Sequence, residues 1–229
     1  MPKTAKPLSE SAAAVKTRRR APGRPAGNAA DQRDALLDAA KQAFARYGYA
    51  GASLRAIAAD AHVTPALAAY YFKDKTGLLA AVIDERVAPL VQSLLGAVVA
   101  AGSDPLVQLH AFVRNYCATA ARNPWLPQLI VREVLSEQGT LRETFAQRFG
   151  FGLASRLREV VERAQRAGQI RHSLESPAIV MSLISLCIFP FIATPLVSGV
   201  LGISVDEAHV ARLAEHHWAL FLRGVEEDA

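Results

Sequence analysis

Residues 53–72, SLRAIAADAHVTPALAAYYF, carry hydroxyl side chains at two helix starts and two adjacent tyrosines near their end. Ser53 fits an N-cap, its hydroxyl accepting from an orphan first-turn amide. Leu54, Ile57, Ala58 and Ala61 follow at helical spacing and give one apolar face. Ala61-His62-Val63 makes a turn, and Thr64 caps a second helix with Pro65 at its first position, where a missing N–H costs nothing. In that second helix Leu67 and Phe72 face back toward the first, and Thr64, Ala66, Tyr70 and Tyr71 face outward. A short capped helix with small and hydroxyl-bearing side chains suits the DNA major groove, which is wide enough to admit a helix. Thr64, Pro65, Ala66, Tyr70 and Tyr71 are therefore expected at the groove, and Ser53, Tyr71 and Lys75 at phosphates. A helical hairpin with no DNA role has the same local pattern. Lys75 opens the next helix, where the macrodipole disfavours a cation. A phosphate held by Lys75 and the first-turn amides would resolve that conflict, and an ordinary solvated lysine is the alternative.

Other chemistry has little support. There is no G-x-S-x-G, phosphate-binding glycine loop, H-E-x-x-H or telling Cys/His pair, so no catalytic residue is assigned and an enzyme is not expected. His209, His216 and His217 share one helix without a cysteine or carboxylate to complete a ligand set; no metal or cofactor is expected. Phe112, Tyr116, Trp125, Leu129, Phe145, Phe149, Met181 and Phe189 are spread over four helical stretches. Together they could line a cavity for a small apolar ligand, and each taken singly also reads as core. Arg132, beside Glu133 in an apolar stretch, reads either as half of a solvated pair or as a group orienting an anionic ligand.

The elements that position these residues extend on both sides. Upstream, a helix over 31–47 carries Leu36, Leu37, Ala39, Ala40 and Phe44 and ends at Gly48, with Tyr49 as a core residue. Downstream, a helix over about 75–100 runs roughly 26 residues, near 39 Å, with Pro89 expected to kink it. The run AAKQAFARYGYAGASLRAIAADAHVTPALAAYYFKDKTGLLAAVIDE resembles the N-terminal DNA-binding domain of the TetR family of bacterial transcriptional regulators, residues 33–85 matching closely. The match rests on joint spacings: Ala-Ala and Phe in the first helix, Gly-Tyr after it, Ile-Ala, Val-Thr-Pro in the turn, and Tyr-Tyr-Phe followed by Lys75. His62 stands where the family has a turn glycine, and Ala69 where it often has a DNA-touching tyrosine. The resemblance also implies a DNA-contacting lysine at Lys75.

The rest of the chain reads as helical with no strand signal, so the fold class is all-α: residues 1–28 a disordered basic arm, 29–77 the three-helix helix-turn-helix domain, and 78–229 a helical ligand-binding and dimerisation domain. Helices are expected over 104–122, 125–137 and 141–167, from Ser176-Pro177 onward, and over about 205–223, the last opened by a Ser204/Glu207 capping box. The formal charge of +5 is uneven: residues 1–30 hold seven Lys and Arg against Glu10, leaving the remainder near −1. Arg18, Arg19, Arg20 and Arg24 either reach a minor groove or add only sequence-blind attraction. Cys117 and Cys187 lie in apolar runs; a reduced, cytoplasmic setting is expected, with no disulfide framework and no secretory signal.

The uncharged stretch 176–205 is long enough to span a bilayer, but Pro190, Pro195, Gly199 and Gly202 interrupt it. A helix buried on all sides, against its own domain and a symmetry mate, is the preferred reading; a membrane-anchored or interaction-only helical protein is the alternative. The resemblance implies a homodimer through helices 177–197 and 205–223, with Ala208, Leu213, His217, Leu220 and Phe221 as a seam, a pseudo-palindromic operator, and an effector, here hydrophobic, that acts through the helix from Lys75. Such regulators are most often repressors; neither effector, operator nor the sign of regulation is legible.

Overall fold

In a computed structural model, residues 29–226 are described, and among them the chain is entirely helical. The arm bearing Arg18, Arg19, Arg20 and Arg24 lies outside the described residues.

Helix α1 (Ala29–Gly51) runs straight to Gly48, whose φ of 72° breaks the helical path before a short final turn. Helices α2 (Leu54–Asp60) and α3 (Pro65–Phe72) cross beneath it, and α4 (Lys75–Val82) closes the bundle. Leu36, Leu37, Phe44, Ile57, Ala58, Ala68 and Leu78 are fully buried between them. Alanines at the crossings let the short helices approach closely, so eight-residue elements suffice to enclose a core.

The helix expected over 75–100 is three pieces: α4, a π-helical segment Ile83–Val87, and α5 (Ala88–Ala100). The reason is Pro89, which has no N–H to give back to the preceding turn; the widened turn, with the Ala88 amide on the Ile83 carbonyl, absorbs the mismatch. This segment is also bolted to α1. Arg33 pairs with Glu85 through two bonds of 2.5 and 2.7 Å, and Arg86 pairs with Asp34 and with Asp38, the latter at 3.1 Å.

Behind the head stand α6 (Pro105–Arg122), α7 (Trp125–Ile130) continued by a π segment Val131–Leu135, α8 (Arg142–Phe145), a third π segment Ala146–Gly150, and α9 (Phe151–Arg166). Then come α10 (Ser176–Ile192), α11 (Thr194–Gly199) and α12 (Val210–Val225). The stretch 176–205 forms two helices rather than one. One face of α10 packs Ile179, Leu183 and Cys187 inward, while Met181 (64% exposed) and Phe189 (56%) face out. Pro190 does not end α10, which runs to Ile192, where the Thr194 hydroxyl donates to the Pro190 and Phe191 carbonyls. Nor does Ser204/Glu207 cap the last helix. Asp206 closes the turn before it, accepting from the Ala208 and His209 amides at 3.0 and 3.1 Å, and α12 begins at Val210 without a side-chain cap. A carboxylate two residues from the donors closes an Asx-type turn that a serine four residues out does not reach. Among the described residues, no helix is long and apolar enough to cross a membrane. Cys117 and Cys187 are buried free thiols.

Candidate nucleic-acid interface and effector cavity

The local chemistry of the reading head follows the caps. Ser53 Oγ accepts from the Ala56 amide at 3.1 Å and opens α2; Thr64 Oγ1 accepts from the Leu67 amide at 3.2 Å and opens α3, with Pro65 next. The turn between them forms even though a histidine replaces glycine: His62 takes φ 57°, a left-handed conformation costly for a side-chain-bearing residue. Thr64, Pro65, Ala66 and Tyr70 are all exposed on one side of α3, Tyr70 at 81%. Tyr71 is half-buried, and its hydroxyl donates to the Ala29 carbonyl at 3.0 Å. It therefore ties the start of α1 to the reading helix as well as bordering the exposed face. Ser53 is exposed at the head of α2.

Lys75 lies differently from a free cation awaiting a phosphate. Its ammonium donates to the Tyr49 and Ala52 carbonyls at 2.7 and 2.9 Å and sits 4.3 Å from the centre of the Tyr49 ring. Tyr49 lies in the last turn of α1 and Ala52 just past its end, where carbonyls need donors from outside the helix. An ammonium has three donors, so one remains for a phosphate. The unfavourable dipole at the start of α4 is met here by the opposite pole of α1. Asp74, not Lys75, caps α4, accepting from the Gly77 amide at 2.8 Å. Thr76, not singled out by sequence, bonds its hydroxyl to that of Tyr49 at 2.8 Å.

In the second domain a cavity of about 240 Å³ lies between α5, α6, α7, α9 and α10 and the π segments beside them. Of the nine residues singled out for an effector, Tyr116 and Phe145 line it. Phe112 is fully buried in the core around α6, α9 and α10, and Trp125, Leu129 and Phe149 pack into the core shared with the head. Met181 and Phe189 stand on the outer face of α10, and Arg132 is exposed. The aliphatic lining was missed by sequence: Val91, Leu94, Ile130, Val134, Leu153 and Ile184 have no chemical mark that separates them from core. Tyr116 and Thr119 carry the only polar side chains of the lining, and no charged residue reaches it. Burial, more than the nearby thiols of Cys187 and Cys117, pushes the Tyr116 phenol far up, so it stays protonated as a donor.

The seam expected on α12 divides. His217 and Phe221 are buried in the protomer's own core, Leu213 is half-buried, and Ala208 and Leu220 are exposed. The outward apolar surface continues instead along α10 and α11 through Met181, Phe189, Leu196 and Val200. Among the described residues, no cluster of His, Cys, Asp or Glu could hold a metal ion.

A capped two-helix reader standing on a longer helical domain defines a helix-turn-helix DNA-binding regulator. Residues 36–82 match the family model described as bacterial regulatory proteins, tetR family, and residues 105–219, half of the chain, match that for the tetracyclin repressor-like C-terminal domain. The chain belongs to the TetR family: it is a transcriptional regulator and not an enzyme. It is 23% identical over 202 residues to the probable HTH-type transcriptional regulator YttP of Bacillus subtilis (strain 168), covering 84% of this chain and 93% of that one. The fold is shared with the ketosteroid transcriptional regulator KstR2 of Mycobacterium tuberculosis, with TM-score 0.68, 16% identity, and 90% and 100% of the two chains covered. It is shared as well with the fatty acid degradation regulator FadR from Bacillus halodurans, with TM-score 0.67, 19% identity, and 84% and 95% covered.

Proposed function

We propose that the protein is a homodimeric repressor that reads a pseudo-palindromic operator and is released by a small, uncharged, apolar effector bound in the cavity between α6, α7 and α10. The cavity carries this reading. An engineered cavity of about 150 Å³ holds benzene, so about 240 Å³ has room for a larger apolar molecule. A lining without a charge gives an ionised ligand no partner for its desolvated group, whereas a carbonyl or hydroxyl can meet the Tyr116 and Thr119 hydroxyls. Thr64, Pro65, Ala66 and Tyr70 face the major groove, with Ser53, Tyr71 and the third donor of Lys75 at phosphates. The outer faces of α10 and α12 meet their symmetry mates, which removes Met181 and Phe189 from water. Half-sites about 34–36 Å apart, or a multiple, follow from two-fold symmetry. An effector with different affinities for two spacings of the heads shifts the population toward release. The protein acts in the cytoplasm, where the operator is.

The test is fluorescence anisotropy of the purified protein on DNA flanking its own gene, over a salt series, against a scrambled duplex. Selective binding of a dimer with a steep salt slope is expected. Equal, salt-labile binding to every flanking and scrambled duplex would overturn the operator reading.

A further inference from the structure

Helix α7 and its π extension have two working faces. Leu126, Ile130, Val134 and Leu135 line the cavity. Between them Glu133, only 4% exposed, points the other way, into the head. One carboxylate oxygen accepts from the Tyr49 amide at 2.7 Å; the other accepts from the Thr140 amide at 3.1 Å and the Thr140 hydroxyl at 2.7 Å. The surroundings are shaped to this side chain. A Cβ on Gly48 would come within 2.9 Å of the Glu133 carboxylate, and a Cβ on Gly139 within 2.4 Å of the Glu133 carbonyl oxygen. Gly48, with φ 72°, turns the chain so that the Tyr49 amide faces the second domain.

Tyr49 is held from the opposite side by the start of α4: its carbonyl accepts from Lys75, and its hydroxyl meets that of Thr76. One residue of the head, Tyr49, is therefore held through its amide by a carboxylate from the second domain and through its carbonyl by the ammonium that follows the reading helix. Glu133 also sits in a π segment, where the Ser136 amide reaches back five residues to the Val131 carbonyl at 3.0 Å. A π turn has an α-helical alternative one register away, which gives a discrete rather than graded response to pressure from the cavity.

We propose that Glu133 is the positioning residue through which occupancy of the cavity is passed to the reading head, by moving Tyr49 and, with it, Lys75 and Thr76. The inference rests on the cavity being the effector site. A ligand pressing on Ile130 and Val134 shifts the π segment and draws Glu133 from the Tyr49 amide; a buried amide left without an acceptor moves until it finds one. This route runs from α7 to the end of α1, separately from the continuous path along α5 and α4.

The test uses the full chain and a neutral hydrophobic fluorophore, N-phenyl-1-naphthylamine, with hydrogen exchange followed by mass spectrometry. In wild type the probe should slow exchange around the cavity and change exchange at residues 48–53 and 75–79, on the order of fivefold. In Glu133→Ala, and in Glu133→Gln should the alanine variant not fold, probe affinity and protection around the cavity should stay within about twofold of wild type while the response of the head disappears. A merely structural role would raise exchange in the head with and without probe and leave the probe-induced difference in place, and that result overturns the proposal. So does a wild-type head that does not respond while the cavity does. Absence of any response around the cavity would instead remove the cavity as effector site and take the relay with it.

Discussion

The reading head and the domain behind it use the same helical material but finish differently. In the head nine fully buried side chains, four of them leucine or phenylalanine, fill the space between α1 and α4, Trp125, Leu129 and Phe149 join the same core from the second domain, and the polar caps and Tyr70 are left outside. The second domain is unfinished in two places. It keeps a cavity of about 240 Å³ at its centre and an apolar stripe, Met181, Phe189, Leu196 and Val200, on its surface. Short helices rich in alanine approach closely, whereas the longer helices meeting across π segments leave a cavity between them. The difference separates roles. The exposed side chains of α3 suit the proposed groove contacts, while the cavity and the outer stripe of the second domain suit the proposed effector and the proposed second copy.

That contrast can be broken most severely at the stripe. Placing a charge there, as in Phe189→Asp with Met181→Asp, should weaken the dimer on the order of 100-fold or more while far-UV circular dichroism is retained. Sedimentation velocity reads the mass, and an intact dimer would show that the stripe is not the seam. On the head, Tyr70→Ala should weaken operator binding about tenfold with Tm unchanged, since the ring is almost wholly exposed. Tyr71→Ala should weaken it too and also lower Tm, because its hydroxyl holds the Ala29 carbonyl. Anisotropy and thermal melts together separate the two tyrosines.

Filling the cavity is the next smaller change. Ala120→Leu should reduce uptake of N-phenyl-1-naphthylamine about tenfold and leave operator affinity in place. Loss of both would mean that the head and the cavity are not separable. Between the domains, the Glu133 carboxyl is pushed up by burial, but the bonds from Thr140 and the Tyr49 amide outweigh this and hold it below its ordinary value. A lowered pKa contributes stability that is present above the unfolded value and is lost as pH falls through the folded one. Glu133→Gln should therefore flatten the fall of Tm on the acid side of about pH 4.5, as read by melts across that range. The smallest effect belongs to the turn: His62→Gly relieves a left-handed histidine and should raise stability by about 1 kcal/mol or less, with operator affinity unchanged.

The helix-turn-helix was legible because its signals are local. Ser53, Thr64 and Pro65 act within three residues of the amides they cap, and Gly48 marks the end of α1 by its own backbone freedom. The break in α10 and the cap of α12 were misjudged for the opposite reason. Whether Pro190 ends a helix depends on whether its neighbours still supply partners, and whether Asp206 or Ser204 holds the turn before α12 depends on how the chain arrives. The cavity was half legible. Tyr116 and Phe145 point into it and Phe112 and Phe149 do not, although all four are aromatic residues on inward faces.

By itself the sequence determined the all-helical class, the two capped reading helices and the outward position of Tyr70, since each depends on residue type and spacing of four or fewer. Tertiary structure alone decided that Lys75 turns to the end of α1, that Glu133 meets the Tyr49 amide 84 residues away, and that Met181 and Phe189 on α10 point away from their own domain. A buried cation or carboxylate goes to whichever orphan backbone group folding brings within reach, and a side chain faces solvent when no other element arrives to cover it. Neither outcome is written in the spacing of the residues along the chain.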